Sequence, residues 1–149
     1  MKLRVYLDTS VFSAYFDDRV TDRQRETHAF WARLSEFDIA TSDLARRELE
    51  QAPEARQRRR LLGLLKGFTI HAITDEMERV ADYYVEAGVF TITLRNDALH
   101  VAAAVLTRQD ILLSWNFRHL VNRTRRAKIN ETNAFRGLPA IEILAPPEL

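Results

Sequence analysis

The sequence predicts a three-layer α/β domain with a mainly parallel central sheet. Short strand-like segments alternate with longer helix-patterned ones along the whole chain. One of those strands, Ile111-Leu112-Leu113, is apolar at every position, as a strand covered on both faces must be. One helix, from Asp97 to Thr107, is apolar nearly all round and has to be buried on most sides. No repeat, linker or low-complexity segment divides the chain, so residues 1–149 are read as one domain.

The elements follow in order. Arg4-Val5-Tyr6-Leu7 is a β-favouring run that stops at Asp8-Thr9-Ser10, and Val11, Phe12, Tyr15 and Phe16 have helical spacing after it. A second helix fits Asp22 to about Leu34, with Phe30, Trp31 and Leu34 on one side. Ile39-Ala40-Thr41 is a strand, and Ser42 is placed as the N-cap of a helix bearing Leu44, Ala45, Leu49 and Ala52. Pro53 breaks that pattern, and a new helix runs through Leu61, Leu62, Leu64 and Leu65 before Gly67. Phe68 to Ile73 reads as a strand, followed by a helix capped by Thr74 and ended by Gly88. Asn96 is placed as the cap of the apolar helix. The Ile111–Leu113 strand ends at Ser114-Trp115-Asn116, and Ile141-Glu142-Ile143 is the last strand, closed by Pro146-Pro147. No element is assigned between them; Asn122 and Asn133 are helix caps or loop anchors.

With 46% apolar and 29% charged residues, the chain is expected to fold rather than stay disordered. No apolar run approaches the roughly 20 residues of a membrane span. Met1-Lys2-Leu3 leads straight into a strand without a signal-peptide layout. The chain has no cysteine, which excludes disulfides and thiolate metal sites, and a cytoplasmic location is the expectation. The net charge of +1 conceals an uneven distribution. Arg118, Arg123, Arg125, Arg126, Lys128 and Arg136 cluster against Glu131 alone, and Arg56, Arg58, Arg59 and Arg60 form a second cluster. Such patches could meet the phosphates of a polyanion, or simply be solvated helix faces.

Ligands of open parallel sheets bind beyond the carboxyl ends of the strands. Asp8 follows the first strand there, and Ser114 and Asn116 follow the Ile111–Leu113 strand. Glu48 lies at the edge of its helix's apolar stripe, and Asp97 stands in the first turn of the apolar helix. Each has an ordinary alternative: Asp8 as a helix cap, Glu48 as a salt-bridged surface residue, Asp97 as a plain N-terminal helix acid. As a set they are more telling. Three carboxylates in one crevice raise one another's pKa unless a cation neutralises them. Hard ions such as Mg²⁺ or Mn²⁺ suit an all-oxygen donor set, and an ion beside a phosphodiester can activate water.

Leu7-Asp8-Thr9-Ser10-Val11, Glu48 within Leu44 to Leu49, Asn96-Asp97-Ala98-Leu99-His100-Val101-Ala102, and Ser114-Trp115-Asn116-Phe117-Arg118-His119-Leu120 resemble the ordered motifs of PIN-domain proteins. The resemblance runs from Leu3 to about Pro146 and is to the VapC-type toxins of bacterial and archaeal toxin–antitoxin modules. It implies a magnesium-dependent endoribonuclease, usually a homodimer, held inactive by a small antitoxin. It implies Asp8 and Asp97 as metal ligands, Glu48 in the same acidic cluster, and Thr9 and Ser114 as hydroxyls that orient the ligands. Asn116 stands where many members of the family have a fourth acid, which lowers the charge available for a second metal. An amide carbonyl can still ligate a metal or hold a coordinated water. RNA as substrate is likewise implied by the resemblance, with Arg118, His119, Arg123, Arg125 and Arg126 as candidate contacts.

His100, one turn after Asp97, fits a packed or supporting histidine better than a catalytic base. His28 and His71 read as structural or surface residues, and Trp31 and Trp115 as core or groove wall. A haloacid-dehalogenase-like phosphatase would need an Asp where Ser10 stands, and a receiver domain would need a lysine between Ile111 and Phe117. A non-catalytic PIN-like binding module is the remaining alternative.

Overall fold

A computed structural model describes residues 1–149. Its sheet holds β1 (Leu3–Leu7), β2 (Phe37–Ser42), β3 (Thr69–His71), β4 (Ile111–Leu113) and β5 (Glu142–Leu144), in the order β3-β2-β1-β4-β5. Every neighbouring pair is parallel. Each connection must therefore cross over, and the crossovers carry α1 (Thr9–Phe16), α2 (Thr21–Trp31), α3 (Asp43–Leu49), α4 (Ala55–Gly63), α5 (Asp75–Glu86), α6 (Arg95–Leu106) and α7 (Arg123–Phe135).

From β1 the chain steps outward to β2 and β3, then returns past β1 to β4 and β5. Because such crossovers are right-handed, α1–α4 lie on one face and α5–α7 on the other. The packing agrees: α1 touches α2, α3 and α4, α5 packs along α6, and the Tyr84 hydroxyl of α5 donates to Asn133 Oδ1 of α7 at 2.5 Å. The three-layer α/β expectation stands, with a sheet that is parallel throughout.

β1 and β4 are the middle of the core. Val5, Tyr6, Leu7, Leu112 and Leu113 are fully shielded from solvent, each apolar side chain there contributing about 1.5–3 kcal/mol of burial. Ala98 to Val105 of α6 are buried without a gap, and the small side chains of Ala102, Ala103 and Ala104 let this helix sit close to its neighbours.

Several boundaries differ from the sequence reading, for local reasons. β3 is confined to Thr69–His71; Phe68 instead packs its ring on Phe12 and Trp31. α2 ends at Trp31, and a short 3₁₀ turn at Leu34–Glu36 leads into a longer β2. Ser42 occupies the N-cap position of α3 without capping it, because its hydroxyl is paired with Tyr6 at 2.7 Å. Asn96 caps nothing. A 3₁₀ turn, Ile92–Leu94, runs into α6, and the Ile92 carbonyl takes the leading Arg95 N–H in place of a side chain. Thr74 does cap α5, accepting from Met77 N–H at 3.2 Å, and Gly88 ends that helix with φ +76°.

The helix without a sequence counterpart is α7. Only Ile129 and Asn133 along it are buried, so it has no apolar stripe to reveal it. Asn122 is its N-cap, accepting from Arg125 N–H at 2.8 Å. Tyr84→Phe removes the hydroxyl that joins α7 to α5 and leaves Asn133 Oδ1 unpaired in the core. We expect a loss of about 1–2 kcal/mol in urea unfolding; an unchanged midpoint would show that this bond holds nothing.

Candidate functional site

The site is built where β1 and β4 end side by side. Leu7 pairs with Leu113, and the next residue on each strand, Asp8 and Ser114, opens the crevice beyond the sheet. Asp8 N–H donates to Leu113 O at 3.0 Å, continuing the ladder one step past the strand. Asp8 takes the N-cap position of α1 but does not cap it. Its Oδ2 accepts instead from Ser10 Oγ and Ser114 Oγ, both at 2.7 Å. The side chain is buried and its rotamer fixed, with Oδ1 left facing His100 Nε2 at 3.5 Å.

Glu48 arrives from the end of α3. Its Oε1 accepts from Thr9 Oγ1 at 2.7 Å and from His100 Nε2 at 2.6 Å. His100, fully buried on α6, uses Nδ1 against the Tyr6 hydroxyl at 2.7 Å, and Tyr6 continues to Ser42 Oγ. Burial alone would lower the His100 pKa, but the Glu48 hydrogen bond and the charges of Asp8, Glu48 and Asp97 outweigh it and raise it. Burial likewise pushes Glu48 up, and the His100 bond and charge, with Thr9 and Arg47, bring it below the ordinary carboxylate value. The rise favours the imidazolium, the form that would donate from both nitrogens, to Glu48 and to Tyr6.

Asp97 is one turn before His100 on α6 and is half-buried. No side-chain or backbone donor reaches its carboxylate. Burial, then the charge of Asp8, push its pKa up to about 6, with Glu48 adding to the rise and His100 and Arg125 opposing it. The three predicted acids thus share one electrostatic environment.

Asn116 lies beyond β4, its Oδ1 accepting from His119 N–H at 2.9 Å and its own N–H donating to Ser114 Oγ at 2.9 Å. One carbonyl lone pair is therefore spent in closing a turn, while the amide Nδ2 has no protein partner. The basic residues divide. Arg125 lies over the Phe90 ring at 4.5 Å, close enough to act on Asp97, with Nη1 buried and unpartnered. Arg126 turns to Glu148 at 3.6 Å, and Arg118 and Arg123 are exposed. Partial burial and the charges of Arg118 and Arg125 lower the His119 pKa.

Sequence reading missed the supporting residues Tyr6, Ser10 and Ser42. Only Ser10, two positions after Asp8, gave a signal; Tyr6 meets His100, and Ser42 meets Tyr6, through the fold alone.

The donor set fits a hard cation. Asp97 offers a carboxylate without a hydrogen-bond donor, Asp8 keeps Oδ1, and both lie in a field that leaves Asp97 short of positive charge. No group of three or more ligating side chains closes on a single point.

A parallel α/β domain with an acidic crevice at its topological switch point is the class that the fold and site define. The PIN-domain pattern matches residues 5–143, and the chain belongs to the PIN-domain family. No curated protein matches the chain in a sequence search. Similar solved structures include FitAcB from Neisseria gonorrhoeae, at 13% identity and TM-score 0.62, covering 97% of this chain and 99% of that one. VapBC2 from Rickettsia felis, bound to a promoter DNA fragment, gives 12% identity and TM-score 0.58 over 96% and 98%. VapBC-5 from Mycobacterium tuberculosis, of the VapBC family of toxin-antitoxin systems, gives 19% identity and TM-score 0.54 over 95% and 98%. At these identities the likeness is one of fold.

The raised Asp97 pKa sets a stability test. Ionised Asp97 costs folding free energy above pH about 6, and the cost fades as pH falls from about 6 toward 3.8. Discounted for its partial exposure, that is about 1 kcal/mol. In metal-free buffer at pH 7.5, Asp97→Asn should therefore unfold at higher urea than the parent, with the advantage shrinking toward pH 4. A variant equally stable or weaker at pH 7.5 would refute the repulsion.

Proposed function

We propose that the chain is a metal-dependent endoribonuclease, the toxin of a toxin–antitoxin module. The observation that carries this reading is the uncompensated Asp97 carboxylate beside Asp8, in a crevice where His100 is already committed to Glu48. Asp8 and Asp97 would hold Mg²⁺ or Mn²⁺. When bound, the ion supplies charge to activate water and to stabilise the leaving oxygen of a phosphodiester.

The chain's own residues set the rest. Ser10 and Ser114 fix the Asp8 rotamer. Thr9 and His100 keep Glu48 ionised in the crevice, where it can accept a proton from the attacking water or orient it. Asn116 Nδ2 and the Arg125 guanidinium are donors for the phosphate oxygens. The buried wall of β1 and β4 excludes bulk water from beneath the acids.

Similar folds in complexes described as toxin–antitoxin systems support a small antitoxin as partner. A homodimer and a cytoplasmic location belong to the same proposal. No helix is long and apolar enough to cross a membrane. The lack of a closed three-ligand cluster favours a rival, a PIN-like module that binds without cutting.

Labelled single-stranded RNA and DNA incubated with Mg²⁺, Mn²⁺ or EDTA separate the two. We expect metal-dependent RNA cleavage that falls at least about 100-fold in Asp8→Asn and in Asp97→Asn. Cleavage that survives both substitutions, or none by the parent, removes the enzyme reading. Metal titration gives a second readout: Mn²⁺ should raise the melting temperature of the parent and leave Asp97→Asn unmoved.

A further inference from the structure

A second feature adjoins the acidic crevice without belonging to it. Ser10, Ser13, Arg23, Asn116, Phe117 and Arg118 are among the residues lining a groove of about 520 Å³, within the ~300–1,000 Å³ range of ligand clefts. Two residues connect it to the site. Ser10 donates to Asp8 and accepts from Trp115 N–H at 2.9 Å, and Asn116 lies on the wall between them.

The groove pairs an open aromatic face with unspent positive charge. Phe117 is 46% exposed although it stands next to the buried Trp115. Trp115 is immobilised from behind by its Nε1 donating to the buried Thr27 Oγ1 at 2.9 Å, and its ring meets Phe117 edge-on at 6.0 Å. The guanidinium of Arg23 is held over both rings, 5.2 Å from the centroid of Trp115 and 5.9 Å from that of Phe117. Neither Arg23 nor Arg118 has a carboxylate partner. The one acid in the groove, Asp17, is bound to Arg19 at 2.9 Å, which holds its pKa below the usual value, with the charge of Arg23 adding a smaller pull.

We propose that this groove is a binding subsite for one unpaired nucleotide of the strand being cut, its base stacked on Phe117 and its phosphate met by Arg23 and Arg118. Any base offers a π-face to an aromatic ring, and two guanidinium groups beside that ring suit the phosphate that accompanies it. A base reaches Phe117 only when it is out of a duplex, so the subsite selects single strands and excludes paired ones. The proposal rests on the nuclease reading for the strand's presence at Asp8 and Asp97, and its test is independent of cleavage.

The test is fluorescence anisotropy in EDTA, with a labelled single-stranded 12-mer RNA and the same RNA as a duplex. Phe117→Ala should weaken single-strand binding at least about fivefold, with Phe117→Tyr restoring it and the duplex unaffected. Arg23→Gln should flatten the salt dependence of single-strand binding by about one phosphate contact. The variants are compared at unchanged melting temperature. The subsite is overturned by equal single-strand affinity in Phe117→Ala, by an equal loss for duplex, or by a parent that binds no single strand; a groove that seats a partner protein instead gives the first result. Metal-dependent cleavage with no Phe117 effect sinks the subsite alone. A Phe117 effect on binding without cleavage sinks the nuclease reading and leaves the subsite standing.

Discussion

Asp8, Glu48 and Asp97 act on one another's charge, and the fold sets one buried imidazole, His100, among them. At about 4 Å and an effective dielectric near 20, two like charges repel by roughly 4 kcal/mol, so an acidic cluster of this kind needs positive charge nearby. His100 provides it. Its imidazole is clamped between Glu48 on one side and Tyr6 on the other, and the acids raise its pKa against the pull of burial. One imidazole cannot balance three carboxylates, and the deficit falls on Asp97, the acid with no donor. The raised Asp97 pKa is where that deficit shows. A stability cost concentrated at a site is the usual mark of function held in the structure.

The sheet makes this arrangement rigid. Asp8 extends the β1–β4 ladder by one hydrogen bond, so its backbone has no freedom that the core does not also have. Tyr6, two residues earlier, alternates to the face covered by α6 and reaches His100 from below. α6 then delivers Asp97 and His100 one turn apart, and the alanines that follow let the helix seat closely enough for the Tyr6 contact. A bulkier residue at Ala102 or Ala103 would lift α6 from its neighbours and loosen the His100 clamp without touching an acid.

Much of this was legible in the chain and some was not, for identifiable reasons. Asp8 and Ser114 could be placed because each follows an apolar strand at its carboxyl end, where a parallel sheet opens. Asp97 could be placed because a lone acid begins an otherwise apolar helix. His100 was read as a packed or supporting side chain, and its environment bears that out. What it supports could not be read, since Tyr6 and Glu48 lie 94 and 52 positions away and meet it only through the crossovers, with Ser42 joining through Tyr6. Ser42 and Asn96 misled because a good capping residue caps only when its side chain is free and the helix lacks another lead-in. The helix α7 was invisible because one apolar residue and one asparagine do its packing.

Asn116 has a consequence beyond the charge it removes. An acid at this position would add a further negative charge beside Ser114, the hydroxyl that donates to Asp8. The amide instead folds inward, closing the turn through His119 N–H and leaving its own N–H groups outward. The turn that follows then presents Phe117 and Arg118 beside Arg23, and α7 starts close enough to bring Arg125 within reach of Asp97. The site is therefore polarised, with acids on its floor and guanidinium groups along its rim, although the chain as a whole carries a net charge of only +1.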